Sequence, residues 1–585
     1  MWKLSILLSI GVLAATLLLL MITVRHTNNR TITRPLPVFM AGTFLSSVFL
    51  FYPICQSGNG NVPISVLEAI HSSVKLFVVD SDFGMVRDQV ENLEGGLKSL
   101  YQIWGAILIT LCPVSTFGVV LSFFKSALCY QQYLLHFFTE TYIFSELNEK
   151  SLALAESLRK SNKKCLLIFT DVFDMDDENS YEMIGRANAL GALCFKKDIV
   201  TIDFSLHSRK SLIYFMAIGV DENENISQTL RLAERYKEYE NVRIDTFAKS
   251  MEAELLLRTA DKGKIKMIRR MNDVQSLIAR VLYETGNKIF EHTEEKDGKK
   301  VISALIVGMG NHGLEMAKAL VWLCQMTGYS FEMNIIDKNT NAAEKFEMLC
   351  PELMSEKYNG VHIDGEPEYK ITVHSGVDAN TSTFRKLLDE IVRPSYVFVS
   401  LGSDEQNVKT STDIRSHYAI YEFQPRIQAV MRNSGQREAL YYAKYNDSSR
   451  TQSYEIDFVG DIKTSYSQQV ILNSEVERKA LERHLMWGSE ESFWAYEYNY
   501  RSSVASAIHL KMKHLCKIPY TDVEPEKRPF EHRDALRKLE HCRWSAYVRS
   551  EGYTYGPVRN DLAKKHPCLV PYDQLNETEK AKDDV

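Results

Sequence analysis

Residues Val301–Leu320 read VISALIVGMGNHGLEMAKAL: an apolar strand pattern that runs into Gly308-x-Gly310-x-x-Gly313 and then into good helix formers. In such a turn the first glycine permits the tight bend and the second lets backbone approach a pyrophosphate. The third lets the helix pack close to its strand. The N-terminus of that helix then faces the anion. The next strand, Glu332–Ile336, ends at Asp337, 24 residues beyond Gly313. A carboxylate at about 20 residues is the usual acceptor for ribose hydroxyls. The stretch therefore predicts a Rossmann-like unit that binds NAD(H) or another adenine nucleotide through Gly308, Gly310, Gly313 and Asp337. A unit that keeps its glycines for packing alone stays open, because Met309, Asn311 and His312 are bulky for such a loop; His312 would otherwise face a phosphate.

Working outward, the same α/β alternation extends in both directions. Val397–Leu401 is the fourth-strand candidate of this unit and ends in Gly402-Ser403-Asp404. Ligands in open parallel sheets sit beyond the carboxyl ends of the strands, which adds Ser400, Gly402 and Asn407 as contacts. Upstream, strands are expected at Tyr142–Leu147, Cys165–Phe169, Leu193–Phe195, Leu212–Ile218 and Val242–Phe247, with helices between them and at Glu252–Thr259. The first turn of that unit reads Ser145-Glu146-Leu147-Asn148-Glu149, without glycine. Its side chains would block a pyrophosphate, so this unit is degenerate. Glu291–Lys300 reads as a polar separator.

The first 135 residues differ. Leu4–Val24 is 21 residues without a charge, Leu36–Cys55 and Leu100–Phe124 are further apolar runs, and each is long enough to cross a hydrocarbon core. Pro53 and Pro113 would end or kink their helices. Arg25, Arg30 and Arg34 lie between the first two runs, and Lys125 follows the third. The loop Gln56–Ser99 holds Lys75, Arg87 and Lys98 against six acids. The positive-inside rule then places the N-terminus outside and the domains after the third run in the cytoplasm. No TVGYG-like filter and no ionisable residue inside a run marks an ion pathway. Ser46, Ser47, Thr110, Ser115 and Thr116 read as helix–helix contacts. An anchor that also oligomerises and a conducting pore both remain open, and three spans require several copies to enclose a pore.

At 585 residues and 45% apolar content, several domains are expected. They are a transmembrane domain over 1–135, a degenerate Rossmann-like domain over 140–290, a nucleotide-binding one over 301–473, and a small, mainly helical module over 485–585. A net charge of -6 without a basic stripe argues against nucleic acid as partner. Ten cysteines form no CxxC pair and read as small buried hydrophobes. Neither a HExxH sequence, a nucleophile elbow nor a Walker loop is present. Glu540 and His541 are adjacent, and neighbours on a helix point about 100° apart, so they do not read as an acid–base pair. Whether the chain is an enzyme stays open, with a non-enzymatic role the first reading. An NAD-dependent membrane-anchored oxidoreductase is the alternative.

Two tandem Rossmann-like units below a small membrane domain resemble the regulatory domains of potassium channels and uptake systems, the RCK or TrkA-N type, over about Tyr142–Asn473. The marks are Gly308, Gly310, Gly313 and Asp337, with Ala189-Leu190-Gly191-Ala192 before Phe195-Lys196-Lys197-Asp198 in the first unit. The resemblance implies nucleotide or NAD(H) sensing coupled to a membrane partner; the missing potassium filter and the missing first-unit glycines depart from it. Over about Glu531–Asp584 the chain is similar to the ryanodine-receptor repeat, the RyR domain, which also occurs in bacterial proteins. Here the marks are Leu539-Glu540-His541-Cys542-Arg543-Trp544, Gly552-Tyr553-Thr554-Tyr555-Gly556 and Leu569-Val570-Pro571-Tyr572. In this module Trp544, Tyr553, Tyr555 and Tyr572 would stack on a flat ring while Arg501, Arg543 and Lys565 face phosphate. The other reading makes the aromatics a core and the basic residues its wet face. The function expected is a membrane-anchored sensor in which nucleotide binding changes the state or assembly of the membrane part.

Overall fold

A computed structural model describes the chain except residues 27–34, 79–88, 124–128, 131–132, 135–139, 172–177, 205–210, 259–260, 266, 434, 438–455, 473–474 and 585. Arg30, Arg34, Arg87 and Lys125, on which the expected orientation partly rests, lie outside the described residues, as does the side chain of Arg25. The chain divides into two compact units, one of Met1–Leu147 with Lys164–Tyr214 and one of Asn148–Lys163 with Phe215–Val585.

The first unit opens with helices α1 (Trp2–His26), α2 (Pro35–Asn59), α3 (Val62–Phe77) and α4 (Gly96–Phe123). Three of them, α1, α2 and α4, are long and apolar enough to cross a membrane. Pro53 and Pro113 sit inside α2 and α4 and end neither helix. The helix α3 lies in a segment expected to be a loop. It buries Ser65, Ala69, Ser73, Leu76 and Phe77 at helical spacing, which its serines hide from a search for apolar runs. The serine and threonine hydroxyls behave in two ways. Ser46 meets Ser9 across the α1–α2 contact at 2.9 Å, and Trp104 of α4 donates to Ser9 at 2.8 Å. Ser47, Thr110, Ser115 and Thr116 return their hydroxyls to carbonyls of their own helices, and of these Ser47 and Ser115 are buried while Thr110 is exposed. Three parallel strands follow in the spatial order β3 (Leu193–Phe195), β2 (Leu166–Thr170), β1 (Thr141–Phe144).

In the second unit, α5 (Glu149–Ser161), α6 (Glu222–Tyr236) and α7 (Asp273–Thr285) accompany the parallel pair β5 (Val242–Phe247) and β6 (Met267–Met271); β4 (Ile213–Ala217) spans the division. The sequence of β6, MIRRM, has two arginines at its centre and so shows no apolar strand run. Its arginines are neutralised on folding, Arg269 by Asp245 and Glu477, and Arg270 by Glu497. The polar stretch Glu291–Lys300 is likewise structured: β7 (Glu294–Lys296) pairs antiparallel with the start of β8 (Lys299–Val307). Asp297 and Gly298, at φ 52° and 76°, make the two-residue turn that an Asp-Gly pair favours.

The main sheet runs β10 (Lys370–Ser375), β9 (Tyr329–Asp337), β8, β11 (Tyr396–Val399), β12 (Arg426–Val430), β13 (Ile456–Val459), all parallel. This is the Rossmann strand order, with its switch point between β8 and β11. The predicted fourth strand is β11. After β8 comes α8 (Asn311–Leu323), and after β11 comes α9 (Asp404–Ala419). The C-terminal part is helical: α10 (Glu475–His484), α11 (Glu497–Leu515) and α12 (Phe530–Ser550). It shares one core with the sheet. Leu320 and Leu323 of α8 are buried with Ile508 and Met512 of α11 and with Ala546 and Val548 of α12.

Candidate functional site

The glycine turn leaves β8 at the switch point, and its three glycines have different reasons to be glycine. Gly308 has φ +93°, and an added Cβ would lie 2.3 Å from the Ser400 carbonyl oxygen. An added Cβ at Gly313 would lie 1.8 Å from the oxygen of Gly308. Packing accounts for both. Gly310 is different: its φ of -72° suits any residue, and an added Cβ would meet nothing within 4 Å. It is also the N-cap of α8 and supplies no side-chain cap. The exposed start of α8 thus keeps unsatisfied backbone N–H groups and the positive end of the helix dipole.

Asp337 closes the turn. Its Oδ2 accepts from the Met309 N–H at 2.6 Å and its Oδ1 from the Asn339 N–H at 2.7 Å. Each oxygen keeps a further lone pair for a ribose hydroxyl. Asn407, expected as a ligand contact, is a buried strut: its Oδ1 accepts from the Leu401 N–H and its Nδ2 donates to the Val430 carbonyl. Ser400 is bonded through its backbone N–H to Val307. Gly402 stays open, with Gln406 Oε1 at 3.9 Å as the nearest atom to an added Cβ. His312 is pushed down to about 4, by burial first and the Arg432 cation next, against the pull of Asp273. It is a neutral hydrogen-bonding group at pH 7.

The unit whose first turn lacks glycine repeats these devices without the opening. The Leu147 N–H donates to Asp171 Oδ2 at 3.2 Å, as Met309 does to Asp337. Asn225 ties Gly219 to Phe247, as Asn407 ties Leu401 to Val430. The start of α5, however, is capped by Asn148, whose side chain accepts from the Ser151 N–H. One helix start is closed by its own chain and the other is not.

The six residues expected to form a second ligand site do not come together. Arg543 and Trp544 line a cavity of about 280 Å³. Arg501 makes a two-pronged ion pair with Glu551, at 2.7 and 2.8 Å, and lines a different cleft. Tyr572 is buried with its hydroxyl on Asp534, Tyr555 is exposed, and Lys565 reaches Thr554. Tyr553 is buried and packs near Tyr498. Charge and ring type alone suggest the grouping, but of the six only Arg543 and Trp544 line this cavity. Arg543 and Trp544 are joined instead by Arg483, Trp487, Tyr498 and His566. Of these, Arg483 sits in α10, in a run of charged residues that carries no motif. Glu540 and His541 point apart as expected: Glu540 takes Arg543 and Ser506, and His541 meets the Val570 carbonyl at 2.8 Å. Residues 518–584 match the family model of the RyR domain, so the C-terminal module carries that domain.

Proposed function

We propose that the protein is a membrane-anchored sensor whose second Rossmann-like unit binds a nucleotide, NAD(H) or another adenine nucleotide. Binding would change the state or assembly of its membrane helices. The observation that carries this reading is Gly310, a glycine that neither its backbone angle nor its packing requires, at an uncapped helix start. A phosphate approaching that start is the reason elementary chemistry offers for the missing side chain. The Arg432 cation, close enough to His312 to lower it, adds positive charge nearby, whereas Lys249 is balanced by Asp273 at 3.8 Å. The three apolar helices supply the anchor, with the N-terminus outside and the α/β domains in the cytoplasm, and several copies assembling in the bilayer. This is the role implied by the resemblance to RCK or TrkA-N regulatory domains. Ligand binding drives the change only through a difference in affinity between two arrangements of the chain.

The test uses the full chain in detergent with NAD(H), ATP and ADP. One of them should raise the melting temperature, and Gly310→Val should abolish that shift while leaving the unliganded melt unchanged. Binding that survives Gly310→Val removes the turn as phosphate cradle. Hydride transfer to a carbonyl or hydroxy substrate would replace sensing by the oxidoreductase reading.

A further inference from the structure

The cavity lined by Arg483, Arg543, Trp487, Trp544, Tyr498 and His566 holds more positive charge than the chain around it balances. Arg543 is 3% exposed and spends Nη2 on Glu540 at 2.7 Å, while its Nε and Nη1 have no hydrogen-bond partner among the described residues. Arg483 is 9% exposed; among the described residues its Nη1 reaches only the Met486 sulfur, and its Nε and Nη2 have no partner. A third buried cation, Lys513, leans on the same Glu540 at 3.4 Å. Glu540 is thus contacted by two cations, Arg543 and Lys513, and among the described residues Arg483 has no carboxylate within ion-pair distance. The other nearby acid, Asp583, is raised by burial and lies 3.5 Å from His541, so two acids stand against three cations; the neighbouring His509 and His566, pushed down to about 3 and about 4 by burial, add no charge at pH 7. At the rim, Glu579 pairs with Lys582 and Arg559 with Asp561, and each pair neutralises itself.

Unpaired guanidinium N–H groups and unbalanced charge are both costly to bury. Both costs disappear when an anion with several acceptor oxygens enters between the two guanidinium groups, whose planar forks match phosphate. Aromatic walls at Trp544, Tyr498 and His566 surround the same space. We propose that this cavity is a second ligand site, separate from the glycine turn, which takes a doubly charged phosphate monoester carried on a planar ring.

Binding of AMP, inorganic phosphate and adenosine to the full chain in detergent tests this, in a Gly310→Val background so that the glycine turn does not contribute. AMP should bind at least about tenfold more tightly than adenosine. Inorganic phosphate should bind more weakly than AMP; equal binding would overturn the ring requirement. Arg483→Met should weaken AMP binding by about tenfold or more and melt no lower than its parent without ligand, since it removes an unbalanced charge. Adenosine binding as tightly as AMP, no binding of AMP, or unchanged binding in Arg483→Met would overturn the proposal. A measurement free of this substitution is phenylglyoxal labelling of Arg483 and Arg543: AMP should protect both and adenosine neither, and equal labelling with both would overturn it. Failure of the glycine turn alone would leave these results unchanged.

Discussion

At the scale of single residues, the glycine turn separates structural from functional need. Gly308→Ala and Gly313→Ala should each destabilise the chain by about 1–3 kcal/mol, because a methyl group meets backbone oxygen in both cases. Gly310→Ala should leave the melt within about 0.5 kcal/mol of wild type, as an open surface position does. A melt of Gly310→Ala as low as the other two would show that packing explains all three glycines. Lys513 offers a second residue-scale test. Burial first, and then Arg483 and Arg543 against the pull of Glu540, lower it to about 8 from its usual 10.5. Between these values the unfolded chain binds more protons than the folded one, so this residue makes stability rise as pH goes from about 8 to about 10.5. Lys513→Met should abolish that part of the rise in urea melts; an unchanged pH profile would mean that Lys513 keeps its ordinary proton affinity.

At the scale of elements, the two asparagine struts do the same work in two places. Asn407 and Asn225 are each 1% exposed, and their side-chain amides join a strand-end loop to the following strand through bonds to main-chain groups. Replacing either by Ala leaves buried N–H and C=O groups without partners, at about 1–3 kcal/mol per group. Asn407→Ala and Asn225→Ala should therefore each cost about 2–4 kcal/mol in urea unfolding, and a loss below 0.5 kcal/mol would deny them the role of struts. The strands they serve were readable as apolar runs, whereas β6, β7 and α3 were not. Their polar residues find partners only on folding: Arg269 meets Asp245 and Glu477, and Ser65 and Ser73 return their hydroxyls to the carbonyls of their own helix. Periodicity records burial, and here burial includes paired charges and hydroxyls.

At the scale of the whole molecule, the functional proposal predicts that full-length protein in liposomes will conduct ions, or change its copy number, only when the nucleotide that stabilises it is present. A state indifferent to every ligand that binds would reduce the membrane helices to an anchor. Sequence alone determined the apolar helices, the parallel α/β units, the glycine turn at the end of β8 and the RyR domain, because each depends on local pattern: hydrophobic spacing, glycine at fixed offsets, or a run of aromatic and basic residues. Only the tertiary structure decided that Asn407 is a strut and that Asp337 closes its own turn. It also parted Arg501, Tyr555, Lys565 and Tyr572 from Arg543 and Trp544, and brought Arg483 to that pair from outside the matched domain. The physical reason is that a side chain's role is set by what stands opposite it. Partners such as Arg483 and Arg543, 60 residues apart, are brought together by helix packing that no local pattern records.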